Sequence, residues 1–383
     1  MLTKYFLRIG LLLIICFCRI SFAAASVDDR GYVLILNSYA ESDVWANHVI
    51  DSIRMDRSIK EDICVEALNV LLENRVPEVQ ERVNYILEKY DSLPVCVVVL
   101  GSSGWAIFEN LFKGVWKEVP VILCVREDYI SPLDVILKKE EIDSHEIIPL
   151  REKLKGMNVA LVECPVYIRE TIDEMKHLLP EMKKVVLISD GLYESAQVRK
   201  KMRHVCQEYF PELEVSYFTE GRMTMDQMLD SIYSSDINQV GLLYFSWVQR
   251  EKIANNKYLS ANNHKAISYF DNHPIFALED IGIHDGDMAG GYFYLGRDLA
   301  HTVAQTLRDI RNGKEVKEIP VQMAGKPGSL IRFCRRREFQ HPCTRIMLFI
   351  YWLPRDFGNE HVIWYSQLRF YSLSRICCGG RCG

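Results

Sequence analysis

Aromatic and small polar residues follow the first apolar run of the chain, at positions suited to holding a small solute. Ser38 and Tyr39 come directly after residues 32–37, and Trp45 follows at the start of a helical pattern. Ring faces contact C–H surfaces while hydroxyl and amide groups fix orientation, which suits a sugar or an amino-acid-like compound. The same two rings could instead pack the core, and the sequence leaves both interpretations open.

A glycine- and serine-rich turn follows the third apolar run. Gly101, Ser102 and Ser103 precede a helical pattern that begins near Trp105. Free backbone amides and hydroxyls at a helix start predict a seat for an anion or a carboxylate. The turn lacks the alternating glycines of a nucleophile elbow and the lysine of a P-loop. An ordinary tight turn is the alternative interpretation.

Carboxylates and rings also follow the apolar runs in the second half of the chain. Asp190 and Tyr193 come after one run, Trp247 after another, and Asp280 after the last. Ligands of open α/β sheets bind beyond the carboxyl ends of the strands, so these side chains are predicted to contact the solute. Aspartate is also a favoured helix N-cap, which is the competing interpretation.

No pattern in the sequence demands catalysis, a metal or a cofactor. Spacing alone singles out neither a Ser-His-Asp triad nor an acid–base pair. His284, Asp285 and Asp287 lie in a glycine-containing loop and are interpreted as turn residues rather than metal ligands. A net charge of −5 gives no reason to expect nucleic acid. We therefore expect a binding protein without a cofactor and not an enzyme; an α/β enzyme using the same cleft is the less favoured alternative.

The elements that position these residues alternate between residues 31 and 325. Continuous apolar runs such as residues 95–100 are typical of parallel strands covered on both faces, and amphipathic segments separate them. A charged stretch over residues 138–155 interrupts the alternation. We predict an α/β fold of two doubly wound parallel-sheet lobes that close on a ligand cleft. Lobe 1 is expected to comprise residues 26–152 plus 290–325, and lobe 2 residues 153–289.

The two ends differ from this body. Residues 1–25 have a basic start, a short apolar stretch and an Ala-Ala-Ala end, which predicts a cleaved signal peptide and a periplasmic protein. Residues 328–383 are rich in arginine, lack lysine and show no regular period; we expect a frameshifted, disordered tail without function. Its five cysteines lack the paired spacing of a zinc site. The cysteines of the body, Cys64, Cys96, Cys124, Cys164 and Cys206, are interpreted mainly as buried apolar residues.

The order of several segments resembles a known family. Val33 to Tyr39 followed by Trp45 is similar to the opening of periplasmic-binding-protein-like (type I) regions of the "ABC transporter substrate-binding" kind. Pro274 to Asp280, then Gly290 to Tyr292, then Leu295 to Asp298 and a helix, resemble the close of the same family. The likeness spans residues 31 to about 325.

The resemblance implies that a small molecule is bound between the lobes. Such modules occur as free solute-binding proteins and as extracytoplasmic sensors of hybrid two-component histidine kinases, and the opening looks more like the sensor form. Because no kinase core follows residue 325, the chain is expected to be the input of such a sensor without its output. A free ABC-transporter binding protein with a membrane permease as partner is the alternative, and a homodimer stays open.

Overall fold

The computed structural model describes most of the body of the chain. It describes residues 31–39, 41, 43–68, 75–142, 147–219, 221–250, 258–259, 263–269, 273–283, 287–331 and 351–353. The predicted signal peptide, His284, Asp285 and most of the predicted tail lie outside the described residues. Within the described part, no helix combines the length and the apolar composition needed to cross a bilayer.

Strands and helices alternate along the body. In chain order the strands are β1 (Tyr32–Asn37), β2 (Asp62–Ala67), β3 (Cys96–Leu100), β4 (Val121–Val125), β5 (Val159–Glu163), β6 (Lys184–Ser189), β7 (Glu214–Thr219), β8 (Val240–Tyr244), β9 (Gln249–Arg250), β10 (Tyr258–Leu259), β11 (Ile275–Ala277), β12 (Gly290–Phe293), β13 (Gln322–Met323), β14 (Gly328–Ile331) and β15 (Tyr351–Leu353). The helices are α1 (Val44–Met55), α2 (Val76–Lys89), α3 (Ser102–Lys113), α4 (Leu133–Lys138), α5 (Leu150–Lys153), α6 (Ile168–Leu178), α7 (Tyr193–Tyr209), α8 (Met225–Tyr233), α9 (Asn263–Tyr269) and α10 (Gly296–Arg311), with a 3-10 turn at Val316–Glu318.

Two sheets organise these elements into two lobes. The first sheet has the order β13-β5-β4-β3-β1-β2, with all strands parallel. The second has the order β15-β14-β12-β11-β8-β6-β7 and is parallel from β12 to β7. β9 and β10 form a separate antiparallel pair. The predicted α/β class with two doubly wound parallel-sheet lobes is confirmed.

Each sheet reverses its strand order at one point. β1 lies between β2 and β3, and β6 lies between β7 and β8, so successive connections run to opposite sides of β1 and of β6. A crevice opens beyond the carboxyl ends of the strands at such a switch point, and ligands of doubly wound sheets bind there. The two switch points, β1/β3 and β6/β8, are therefore the places to look for a site.

Apolar strands and helix faces explain why the sheets form. All five residues of β3 are buried, because helices cover both faces of the sheet. α10 packs on α1 in the first lobe and buries Leu299, Val303 and Leu307 along one side. The cysteines fit the same scheme: Cys96, Cys124, Cys164 and Cys206 are buried free thiols, and Cys64 is half-buried.

The division between the lobes differs from the predicted one in two places. β5 pairs with β4, so it lies in the first sheet and not in lobe 2. β12 pairs with β11, so it lies in the second sheet and not in lobe 1. The charged stretch taken as a boundary instead follows α4 and contains α5, and both helices belong to the first lobe. An apolar run predicts that a strand is buried, but it does not say which neighbour it pairs with.

The predicted start of the tail at residue 328 is also wrong, because residues 328–331 form β14. β14 pairs antiparallel with β12, and β15 in turn pairs with β14. The Ser329 hydroxyl donates to Glu174 Oε1 of α6, and Leu330 is buried. The described chain therefore passes between the lobes three times, after β5, after β12 and after β13.

Candidate functional site

A cavity lies between the lobes, where the carboxyl ends of the two sheets meet; we call it the cleft. Its volume is about 50 Å³. Tyr39, Asp43 and Arg126 of the first lobe line it, together with Asp190, Glu194, Ser195, Tyr244, Phe245, Ser246, Trp247, His264 and Glu279 of the second. Rings and carboxylates thus enclose a small space to which both lobes contribute.

Ser38 and Gly101 build the wall behind Tyr39 at the β1/β3 switch point. The Ser38 hydroxyl donates to the Gly101 carbonyl (3.1 Å) and accepts from the Gly104 amide (2.7 Å). Gly101 has φ +94°, and a Cβ there would lie 3.0 Å from Ser38 Cβ and 3.4 Å from the Tyr39 ring. Glycine is therefore required for this close approach. Neither Ser38 nor Gly101 lines the cleft.

Asp190 is fixed at the β6/β8 switch point of the second lobe. Its Oδ1 accepts from the Leu192 amide (3.0 Å), and its Oδ2 accepts from the Ser246 hydroxyl (2.6 Å). The Arg199 guanidinium donates to the Asp190 carbonyl oxygen (2.6 Å) from outside the cleft. Asp190 is 1% exposed, so the two bonds to its carboxyl oxygens hold a buried side chain in one orientation.

Arg126 occupies the centre of the site and joins the lobes. It follows β4, and its guanidinium bonds to Glu279, which follows β11, and lies 3.8 Å from Glu194 at the start of α7. Its Cζ is 4.9 Å from the ring centroid of Tyr39, 4.8 Å from that of Trp45 and 5.3 Å from that of Phe245. The side chain is only 5% exposed. Arg126 therefore connects the two lobes, because it contacts Glu279 and Phe245 of the second lobe and the rings of Tyr39 and Trp45 of the first.

The carboxylates of the cleft are hard to ionise. Burial raises the pKa of Glu194 to about 8; the neighbouring Glu127 adds to the shift and Arg126 opposes it. Burial likewise raises the pKa of Glu279 to about 7, against the effect of Arg126 and with that of Asp43. The pKa of Asp43 is also raised by burial. One guanidinium does not compensate for several buried carboxylates.

Several buried polar atoms of the cleft have no hydrogen-bond partner among the described residues. They are Arg126 Nε, Glu194 Oε1, Ser195 Oγ and Trp247 Nε1. Ser195 and Trp247 are each 1% exposed. Buried polar atoms are nearly always paired in folded proteins, and leaving one unpaired costs about 1–3 kcal/mol. The cleft therefore offers a solute both hydrogen-bond donors and hydrogen-bond acceptors.

Three of the predicted site residues line the cleft: Tyr39, Asp190 and Trp247. Trp45 lies one layer behind, edge-to-face with Tyr39 at a centroid distance of 5.8 Å and in the first-lobe core. Trp45 therefore packs the core of the first lobe and contacts Arg126, and it does not line the cleft.

The other predicted residues stand outside the cleft. The Tyr193 hydroxyl donates to Ser131 Oγ (2.6 Å) and so fastens α7 to the first lobe. Asp280 Oδ2 accepts from the Gly296 amide (2.8 Å), which satisfies a free amide at the start of α10. Ser102 and Ser103 are buried at the start of α3. The Ser103 hydroxyl lies near Glu194 and lowers the pKa of that carboxyl. Ser103 is therefore the residue of the predicted anion site that comes nearest to the cleft.

The sequence interpretation missed Arg126, Glu194 and Glu279 as site residues. Arg126 follows β4 just as Tyr39 follows β1, so the same strand-end rule would have found it. Glu279 precedes Asp280, and the choice between two adjacent carboxylates depends on which side chain turns to the cleft. Glu194 lies one residue inside α7, where an acidic residue is also favoured by the helix dipole. Only the structure separates these cases.

Comparisons with known proteins give a fold. No family model matches the chain, and no curated protein matches it. A conserved domain protein from Vibrio cholerae O1 biovar El Tor has a TM-score of 0.52 and 12% identity over 79% of this chain and 92% of that one. An "ABC domain" from Streptococcus pneumonia in complex with L-Trp has a TM-score of 0.50 and 12% identity over 78% and 90%.

The neighbours include solute-binding proteins. A carbohydrate transporter solute-binding protein from Agrobacterium radiobacter in complex with D-arabinose has a TM-score of 0.46 and 12% identity over 79% of this chain and 94% of that one. The likeness to the first two structures shows the fold alone, which is two α/β lobes.

Proposed function

We propose that this chain binds a small solute in the cleft and closes its two lobes around it. The observation that carries the proposal is the group of buried polar atoms that line the cleft without a partner among the described residues. Ser195 Oγ and Trp247 Nε1 belong to the second lobe, and Arg126 Nε to the first. Because each unpaired atom costs free energy, a solute that pairs with them gains affinity from both lobes at once.

The position of the cleft supports binding. It lies beyond the carboxyl ends of β1 and β6, the strands at which both sheets reverse their order. Three short connections join the lobes, so a hinge motion could open the cleft without unfolding either sheet. A solute that contacts both lobes favours the closed arrangement by its differential affinity for it.

A solute library tests the proposal through thermal stability of the full chain. A solute present at about 100 times its Kd should stabilise the folded protein by about 2.7 kcal/mol and raise its melting temperature. Trp247→Phe keeps the ring and removes the N–H, and we expect it to weaken binding about tenfold. Trp105→Phe removes a similarly buried N–H in the first-lobe core, away from the cleft, and should leave affinity unchanged. Failure of every solute to stabilise the protein would contradict the proposal.

The proposed biological role is that of an extracytoplasmic sensor input for a two-component histidine kinase. The resemblance of residues 33–39 and the predicted signal peptide, residues 1–25, support it. The alternative is a free binding protein that delivers solute to an ABC transporter. Neighbouring genes test the choice: kinase-coding sequence beside this gene favours the sensor, whereas a permease and an ATPase would contradict it.

A further inference from the structure

The acidic groups of the cleft outnumber its basic groups. Asp43, Asp190, Glu194 and Glu279 line it, and among the described lining residues the basic ones are Arg126 and His264. Arg126 forms ion pairs with Glu279 and Glu194, and His264 Nε2 lies 3.7 Å from Asp287. With all four carboxyls ionised, the cleft therefore carries more negative than positive charge.

One of these acidic side chains, Glu194, also has a carboxyl oxygen without a hydrogen-bond partner among the described residues. Glu194 is 6% exposed; the Ser103 hydroxyl lies close enough to lower the pKa of its carboxyl, but no described residue makes a well-aligned hydrogen bond to Oε1. By contrast, both carboxylate oxygens of Asp190 already accept a hydrogen bond. Burying a carboxylate without an opposite charge is costly, and a protein avoids the cost by protonating it or by supplying a cation. Glu194 Oε1 is the acceptor that a positively charged solute group would reach.

The rings of the cleft suit a positive charge as well. The rings of Tyr39 and Phe245 already make cation–π contacts with the Arg126 guanidinium, with distances of 4.9 and 5.3 Å between Cζ and the ring centroids. Tyr244 and Trp247 add two further aromatic side chains to the wall. The negative face of an aromatic ring attracts a cation, most strongly where water is excluded. An anionic solute would face both the ring faces and the excess carboxylates.

We propose that the solute is a small organic cation, an amine or a guanidinium compound, with its charge against Glu194 and its apolar part against the rings of the cleft. This inference rests on the proposed function, since it names the class of solute that the same cleft takes. It narrows the expected sugar or amino-acid-like ligand: the cleft favours the amino group of such a compound over its hydroxyl or carboxylate groups.

The groups that surround Glu194 set how binding depends on pH. Arg126 and Ser103 face it from the first lobe, Glu127 follows Arg126, and Asp190 lies beside it in the second lobe. Since the free carboxyl holds a proton near neutral pH, a cation must displace that proton. Cation affinity should therefore rise as the pH increases from about 6 to about 8.5.

Matched probes test the charge of the solute with the full chain. Each pair differs in charge and little in shape: n-butylamine with n-butanol, benzylamine with benzyl alcohol, and choline with its neutral isostere dimethylbutanol. Isothermal titration calorimetry at about pH 8.5, where the carboxyls are ionised, should give at least tenfold tighter binding for a cation than for its neutral partner. D-Galactose and L-tryptophan complete the set as neutral-sugar and amino-acid probes.

Two variants locate the effect. Glu194→Gln keeps the shape of the side chain and removes its charge, and it should weaken cation binding about tenfold and abolish the pH dependence. Glu109→Gln, which removes a half-buried carboxylate paired with Lys113 and Lys153 outside the cleft lining, should change neither. Neutral probes or D-galactose binding as tightly as the amines would overturn the cation proposal and leave solute binding intact. If no amine binds while the solute library yields a neutral ligand, the cation proposal also fails; if nothing in the library binds, the proposed function fails with it.

Discussion

Arg126→Met tests the buried charge pairing that joins the lobes. The substitution removes the guanidinium and leaves Glu279 and Glu194 without an opposite charge in a site where Arg126 is 5% exposed. Removing one partner of a buried pair costs about 3–5 kcal/mol, because the remaining charge stays out of water. That cost applies only when the carboxyls are ionised. With pKa values of about 7 and about 8, both protonate at mildly acidic pH, and the loss should then shrink.

Urea unfolding of the full chain at two pH values measures this difference. We expect Arg126→Met to lose about 3–5 kcal/mol at about pH 8.5 and about 1 kcal/mol at about pH 5.5. Adding Glu279→Gln should restore part of the loss at the higher pH. Arg203→Met is the control, since Arg203 and Glu141 form an exposed ion pair between α7 and the first lobe and should contribute about 0–1 kcal/mol. An equal loss at both pH values, or one no larger than that of the control, would refute the reasoning.

Three further predictions concern stability. The folded pKa values of Glu194 and Glu279 lie above the usual 4.5, so the folded state keeps protons that the unfolded state has released. The free energy of unfolding should therefore fall by a few kcal/mol from about pH 5 to about pH 8. A free energy of unfolding that does not change with pH in urea titrations would contradict this. Asp280→Ala should cost about 1–2 kcal/mol through the lost bond at the start of α10 while leaving solute affinity unchanged, as calorimetry can check. Gly290→Ala should lower the melting temperature far more than Gly156→Ala, because a Cβ at Gly290 lies 2.2 Å from a backbone oxygen of β14, whereas Gly156 has no atom within 4 Å; equal effects would be evidence against it.

The sequence predicted the fold better than the division into lobes. Residues 96–100 and 121–125 are continuous apolar runs, and burial on both faces follows directly from that pattern. Strand pairing is a long-range property, so the pattern did not show that β5 joins β4 or that β12 joins β11. The short strand at residues 328–331 was not predicted, because the strands that pair with it, residues 290–293 and 351–353, are distant in the sequence.

Only part of the site could be predicted, because the sequence shows which residues follow a strand but not which way their side chains turn. The strand-end rule placed Tyr39, Asp190 and Trp247 at the cleft, since chain position alone decides which residues follow a strand. It could not separate a residue that turns toward the cleft from one that turns into a helix cap, which is why Asp280 was chosen instead of Glu279. The charge balance around Arg126 depends on residues from both lobes and becomes visible only when they are brought together.

A crystal structure of the full chain grown with its most stabilising solute tests the central claim most directly. Solute binding between the lobes predicts electron density in the cleft, within hydrogen-bond distance of Trp247 Nε1 or Ser195 Oγ on the second lobe and in contact with Tyr39 on the first. Density on the outer surface of one lobe, with the cleft closed around Arg126 and without solute, would contradict the account.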